Sequence, residues 1–167
     1  APERTPTAEV RGVGLGLFAS DPDYDYGQLV DEIDSRGATD LLLVVQWAQS
    51  STWSHDVGES DNSASKSTIR RTIRQAHNAG LRVTLMPIVR LRERAPTQWR
   101  GNMRPNVAEW FDAYSQQLSS LTRIAGDEQV ERLVVGSELG SMQQHETHWR
   151  RLVADVRRTY SGRLTYS

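Results

Sequence analysis

The sequence predicts an α/β fold of parallel strand–helix units, of TIM-barrel type, and three observations predict it. Strand-like and helix-like stretches alternate, each helix-like stretch closing on a glycine before the next strand, at Gly37, Gly80, Gly126 and Gly162, spaced 43, 46 and 36 residues apart. The strand-like runs, such as Leu41–Val45 and Leu133–Val135, are continuously apolar, as strands covered on both faces are. The loops after the strands are long and rich in Trp, Arg and His, whereas the turns before them are short. Alternation alone fits a doubly wound open sheet as well as a barrel. The loop asymmetry favours the barrel, because it gathers every informative loop on one face. A full barrel takes about 200 residues or more. These 167 residues hold four units and the opening of a fifth strand, so residues 10–167 are expected to form the first half of a (β/α)8 barrel, behind a polar leader over 1–9.

Each element has its own signal. Val10–Phe18 alternates glycine with apolar residues and reads as a first strand that lets neighbours approach closely. It is not a dinucleotide fingerprint, which would need glycine where Leu17 stands. After Ser20-Asp-Pro-Asp23 a helical pattern with Leu29, Val30 and Ile33 on one face runs through Arg36 and stops at Gly37. Asp40–Gln46 reads as the second strand and 47–67 as a long polar loop carrying Trp47, Trp53, His55 and Asp56. Ile69, Ile73 and Ala76 mark a second helix, closed by Asn78-Ala-Gly80 as a left-handed cap would close it. Leu81–Val89 is the third strand, expected to end near Pro87, since proline suits a strand terminus rather than its hydrogen-bonded middle. A second long loop over 90–105 carries Arg90, Arg92, Arg94, Trp99, Arg100 and Arg104. Asn106 with Glu109 forms a capping-box pattern, opening a helix to Ala125 with Trp110, Phe111, Tyr114, Leu118 and Leu121 inward and Gly126 as its stop. Leu133–Val135 is the fourth strand. A last helix is expected from Glu146 to Tyr160, burying Trp149, Leu152, Val153 and Val156, and Leu164–Ser167 opens a fifth strand.

Composition excludes several function classes. Twenty basic against twenty-one acidic residues leave a net charge of −1, so no global field draws the chain to nucleic acid or an anionic membrane. The absence of cysteine removes disulfides, thiolate catalysis and cysteine-ligated metals. The longest apolar runs are too short to span a bilayer. The leader lacks a signal peptide's apolar segment; it is read as what remains after export, giving a secreted or periplasmic location, with a linker from an upstream segment as the other option.

The candidate for chemistry is Glu138, delivered into a polar turn just past the end of the fourth strand. In parallel α/β architectures that end is where sites are built. The competing role is a turn cap or a partner for an arginine. His145-Glu-Thr-His148 lacks a third ligand, and no metal or other cofactor is expected. Ser54-His55-Asp56 has the residue types of a triad but only adjacency in sequence, which is not convergence in space. Ser137 stands one position early for a nucleophile elbow. The arginines of 90–104 could hold an acidic group, but a solvated loop with surface ion pairs is the plainer reading.

Several stretches taken together carry a resemblance. They are Ala76-His-Asn-Ala-Gly-Leu-Arg-Val83 leading into Leu85-Met-Pro-Ile88, Trp99-Arg-Gly101 with Pro105, Glu109-Trp-Phe-Asp-Ala-Tyr114, Val135-Gly-Ser-Glu-Leu139, and Trp149 with Tyr160-Ser-Gly-Arg-Leu-Thr-Tyr166. In order and spacing the chain resembles the N-terminal half of glycoside hydrolase family 113, barrel enzymes of the retaining-glycosidase clan that includes β-mannanases. The resemblance implies carbohydrate as partner and Glu138 as acid/base. It places Trp47, Trp99, Arg100 and Tyr166 on the substrate side and the nucleophile on a seventh strand, beyond Ser167. Met86 and Ile88 depart from it, since the family tends to place polar residues, as in Lys-Pro-His, around that proline. The expected function is therefore retaining hydrolysis of a β-linked, mannan-like polysaccharide when the barrel is complete, the segment alone being inactive. The alternative is a non-catalytic carbohydrate-binding or scaffold protein with a degenerate barrel, completed by self-association or by a missing C-terminal half.

Overall fold

A computed structural model describes residues 9–167, so the leader lies, except for Glu9, outside the described residues. Five parallel strands lie side by side in chain order: β1 (Gly12–Gly16), β2 (Asp40–Gln49), β4 (Arg82–Leu91), β5 (Arg132–Val134) and β6 (Arg163–Thr165). A two-residue strand, β3 (Gly58–Glu59), folds back antiparallel on the far end of β2. Between successive parallel strands run α1 (Gly27–Ser35), α2 (Lys66–Asn78), α3 (Val107–Asp127) and α4 (Glu146–Arg157). The strand order decides between the two architectures left open by the sequence. A doubly wound sheet reverses direction at a switch point, whereas here each new strand adds to the same side, which is half of a barrel.

The two sheet faces differ. Leu41, Leu43 and Val45 of β2 and Val83, Leu85 and Val89 of β4 are buried with Ile73, Trp110 and Tyr114 of the helices in one core. The alternate positions Leu42, Val44, Met86 and Ile88 are only partly buried, and the in-phase register of β2 and β4 puts them together on the face away from the helices. That face is the inner wall of the half barrel.

Several expected boundaries move. β2 continues three residues past Gln46, so Trp47 belongs to the strand rather than to the loop. β4 likewise runs through Pro87 to Leu91. The Leu17 amide donates to the Val44 carbonyl on the β1 side, so backbone alternation turns Val45 toward β4. The nitrogen of its register partner Pro87 therefore faces β5, whose ladder with β4 has already stopped at the Leu85–Leu133 pair. No hydrogen bond is lost. In β1 the expected close approach is found at Gly16, where a Cβ would stand 2.5 Å from the Phe18 ring, and not at Gly14, where a Cβ would meet nothing within 4 Å.

The helix ends mostly follow the sequence signals. Ser65 and Asn106 cap α2 and α3 through their side-chain oxygens, and Gly37 and Gly80 take φ of 77° and 79° after α1 and α2. Gly126, expected as a stop, lies inside α3; the left-handed residue there is Gln129, with φ 55°. Gly126 instead makes room, because a Cβ there would stand 2.9 Å from the Thr159 carbonyl oxygen. α4 ends at Arg157 rather than at Tyr160, and Trp149 and Val153 pack only partly buried against the core. Among the described residues no helix is long and apolar enough to cross a membrane.

Candidate active site

The chain leaves β5 after Val134 and enters a turn held from two sides. From the core, the Tyr114 hydroxyl donates to the Val135 carbonyl at 2.9 Å, and burial pushes that phenol's pKa well above its ordinary value. From the far edge, the Ser167 amide donates to Gly136 at 3.0 Å and the Glu138 amide donates to Ser167 at 2.9 Å. Gly136 is required here because a Cβ would stand 2.9 Å from the rings of Trp149 and Tyr166. Glu138 itself adopts φ 54°, one of two left-handed non-glycine residues described. For a residue with a Cβ that conformation costs about 1–2 kcal/mol, and the two backbone bonds to Ser167 together with the packing around Gly136 hold it in place. The outcome is a carboxylate 50% exposed at the C-terminal end of the sheet.

Arg100 forms an ion pair with that carboxylate. It sits in a single helical turn, Arg100–Asn102, which packs against a second one, Gly140–Met142, directly after Glu138. Gly140 permits the contact, since a Cβ there would stand 3.0 Å from the Gly101 carbonyl oxygen. The Arg100 Nε is buried without a hydrogen-bond partner, so the guanidinium is held by packing and by Glu138.

The other sequence-predicted residues separate. Trp99 lies beside Arg100 and is 46% exposed. The Tyr166 hydroxyl accepts from the Leu139 amide at 2.8 Å and from Gln143 at 2.9 Å, while its ring meets Trp149 edge-on at 5.7 Å; as placed, it braces the Glu138 turn. Trp47 is corrected. It is 6% exposed, and its ring packs edge-on against Tyr114 at 5.4 Å inside the core rather than in a loop facing a cleft. In the loop after β2 it is Trp53 that stands in solvent, 60% exposed.

The remaining polar candidates disperse. His55 pairs with Glu109 at 2.7 Å while Asp56 accepts from Ser50, so the triad types do not converge. His148 stacks on Phe111 at 4.8 Å. Among the described residues no three His, Cys, Asp or Glu side chains gather as metal ligands would. Sequence reasoning passed over Gln49, which is 1% exposed. Its amide donates to the carbonyls of Ser51 and Ser54, both at 2.7 Å, and accepts from the Trp110 indole at 2.8 Å. It ties the β2 loop to the core, and nothing in a run of Gln and Ser signals it.

The family model described as Glycoside Hydrolase Family 113 matches residues 24–167. Among solved structures the chain is similar to a GH113 β-1,4-mannanase in complex form, with TM-score 0.84 and 23% identity over 94% of this chain and 54% of that one. It is likewise similar to the GH113 β-mannanase AaManA from Alicyclobacillus acidocaldarius in complex with ManMIm, with TM-score 0.85 and 23% identity over 96% of this chain and 55% of that one. A GH5_18 protein from Streptomyces cattleya in complex with GlcNAc follows at TM-score 0.59 and 12% identity, covering 95% of this chain and 44% of that one. At such identities the structural matches carry the fold, and the chain spans about half the length of the proteins it matches. A comparison with curated proteins gives no match. The family model covers most of the chain, and its fold agrees with the half barrel described above: the chain belongs to glycoside hydrolase family 113.

Proposed function

We propose that this chain supplies the acid/base half of a retaining glycoside hydrolase acting on a β-linked, mannan-like polysaccharide. The observation that carries the reading is Glu138, a carboxylate held in a left-handed turn at the strand-end face where barrel enzymes build their sites. In the first step a carboxylate nucleophile about 5 Å away attacks the anomeric carbon while Glu138 protonates the departing glycosidic oxygen. In the second step Glu138 takes a proton from water, and that water displaces the nucleophile from the sugar. The nucleophile is assigned to a seventh strand beyond Ser167, so residues 1–167 alone are expected to be inactive. Arg100 bears on the first step. Its guanidinium donates to the Glu138 carboxyl group, which keeps acceptor capacity in either protonation state, so the contact orients the group that handles the proton.

In a polypeptide that completes the barrel, Glu138→Gln is expected to lower turnover of β-mannan by roughly 10²–10⁴-fold with an unchanged circular dichroism spectrum. Undiminished turnover would overturn the assignment. A second reading, a carbohydrate-binding barrel without catalysis, is favoured by Met86 and Ile88, which place apolar side chains on the inner wall. In that case the open edges at β1 and β6 pair with a second copy. Light scattering separates a dimer from a monomer, and mannan binding with no turnover in the completed barrel would favour this reading.

A further inference from the structure

We infer that Trp53 and Arg104 form a pyranose-stacking platform on the rim of the barrel mouth, a carbohydrate contact separate from the Glu138 turn. The inference rests on the reading of the chain as carbohydrate-active and names a further place where the polymer touches it. An indole left in water forgoes the stabilisation that burial of so large an apolar surface brings. In a pliable loop such a ring folds under, and Trp53 remains 60% exposed.

The loop that carries it is not pliable. Gln49 anchors the loop through Ser51 and Ser54, and Ser50 is bonded to Asp56 through both its amide and its hydroxyl. The neighbouring segment is stitched to it by Arg92 N–H to Gln49, Glu93 N–H to Ser50 and Arg104 N–H to Thr52, at 2.9, 2.9 and 2.7 Å. The ring is therefore presented on a fixed backbone, and a ligand that covers it has little ordering left to do.

Arg104 supplies the second half of the platform. Its guanidinium carbon lies 5.9 Å from the Trp53 ring centroid, and among the described residues its side chain makes no ion pair. An indole 60% exposed with a guanidinium over its ring matches a pyranose, whose C–H face packs on the exposed indole surface while its hydroxyls accept from the unpaired N–H groups. A nucleic-acid base could also stack there, but the chain's net charge of −1 offers no field to hold a phosphate backbone.

The 167-residue protein is titrated with β-1,4-mannohexaose, cellohexaose and a twelve-nucleotide oligo(dT), followed by calorimetry and tryptophan fluorescence. Trp53→Ala is expected to weaken hexasaccharide binding about tenfold or more, Arg104→Ala about threefold, and Trp53→Phe less than Trp53→Ala because a ring face remains. Because Trp53 is exposed, circular dichroism and thermal midpoints should match the parent chain. The platform is overturned if Trp53→Ala binds within about twofold of the parent, if the parent binds neither hexasaccharide at millimolar concentration, or if oligo(dT) is the ligand whose binding depends on Trp53. Those results leave the Glu138 assignment standing, because that is judged by turnover of the completed barrel, and loss of that assignment leaves the binding result standing.

Discussion

The two ends of the sheet solve the same polar problem in opposite ways. At the N-terminal ends of the strands charges are paired by short, well-formed contacts. Glu128, at the end of α3, accepts from Arg74 at 2.7 Å and Arg70 at 3.0 Å. Asp40 meets Arg82 at 2.7 Å, and Glu131 accepts the Val83 amide at 2.7 Å. At the C-terminal ends the chain carries a left-handed glutamate outside any helix cap, a buried arginine nitrogen without a partner, and two exposed tryptophans. One end closes the fold, and the other holds reactive or adhesive groups out toward solvent at a local cost in stability. If this division is right, substitutions of the paired charges at the floor should weaken the fold, while substitutions at the mouth should weaken it only where they touch the supports and not where they touch the presented groups.

The largest effect is expected at a support. Gln49→Leu keeps the volume but leaves the Trp110 indole N–H and the Ser54 carbonyl without partners, costing about 2–3 kcal/mol. Urea unfolding measures it, and Trp53 fluorescence should shift as the loop loosens. A cost below about 0.5 kcal/mol would mean that the mouth is not built on this anchor.

Gln49 also shows where the sequence stopped being readable. Strand–helix alternation, apolar runs and capping residues lie within a few positions of one another, so the parallel order and α1 to α4 could be read with small shifts at their ends. The end of β2 could not. Gln49 beside Ser50 and Ser51 looks like a loop residue, and the partner that takes its remaining acceptor and makes it acceptable as a buried strand residue, Trp110, lies 61 positions away. That single misplacement moved Trp47 out of the core and drew attention away from Trp53. Pro87 misled for a similar reason, because a proline is excluded only where a neighbouring strand needs its N–H, and β5 ends too early to need it. Glu138 was reachable from its place after an apolar run and from the family pattern. Its backbone conformation, its Arg100 partner 38 positions earlier and its tie to Ser167 are products of folding and leave no local mark.

A middle-sized effect is expected at the floor. Glu128→Gln keeps the shape and removes the charge that two arginines share, costing about 1–2 kcal/mol near pH 7, since the carboxylate is buried but Arg74 is mostly solvated. Its pH dependence has a definite sign. The hydrogen bond from Arg74, with that from Arg70, holds the Glu128 carboxyl below its ordinary value of 4.5. A folded-state pKa that is depressed contributes stability in full above the unfolded value and loses it as pH falls through the folded one. The gap between parent and Glu128→Gln in urea midpoint should therefore be widest near neutrality and close below about pH 4. A gap that persists at pH 2 would assign the effect to packing rather than charge.

The smallest effect has the opposite direction and tests the division most directly. Glu138→Gly removes the Cβ that makes φ 54° costly and gives up only an ion pair to a half-exposed carboxylate. The protein should gain about 0.5–1 kcal/mol while losing the group proposed for chemistry. Gln129→Gly is the control, because Gln129 has φ 55° at the floor, just after the end of α3, where a left-handed residue serves as a helix cap and glycine is the common choice. It too should gain up to about 1 kcal/mol, with no effect on sugar binding or, in a completed barrel, on turnover. Stability gained at both positions with activity lost only at 138 would mean that the strain is ordinary in size and distinctive in what it presents. Loss of stability at 138 would mean that the turn depends on its carboxylate, with the Arg100 pair acting as a structural clasp, and the separation between a stabilising floor and a presenting mouth would fail at its central residue.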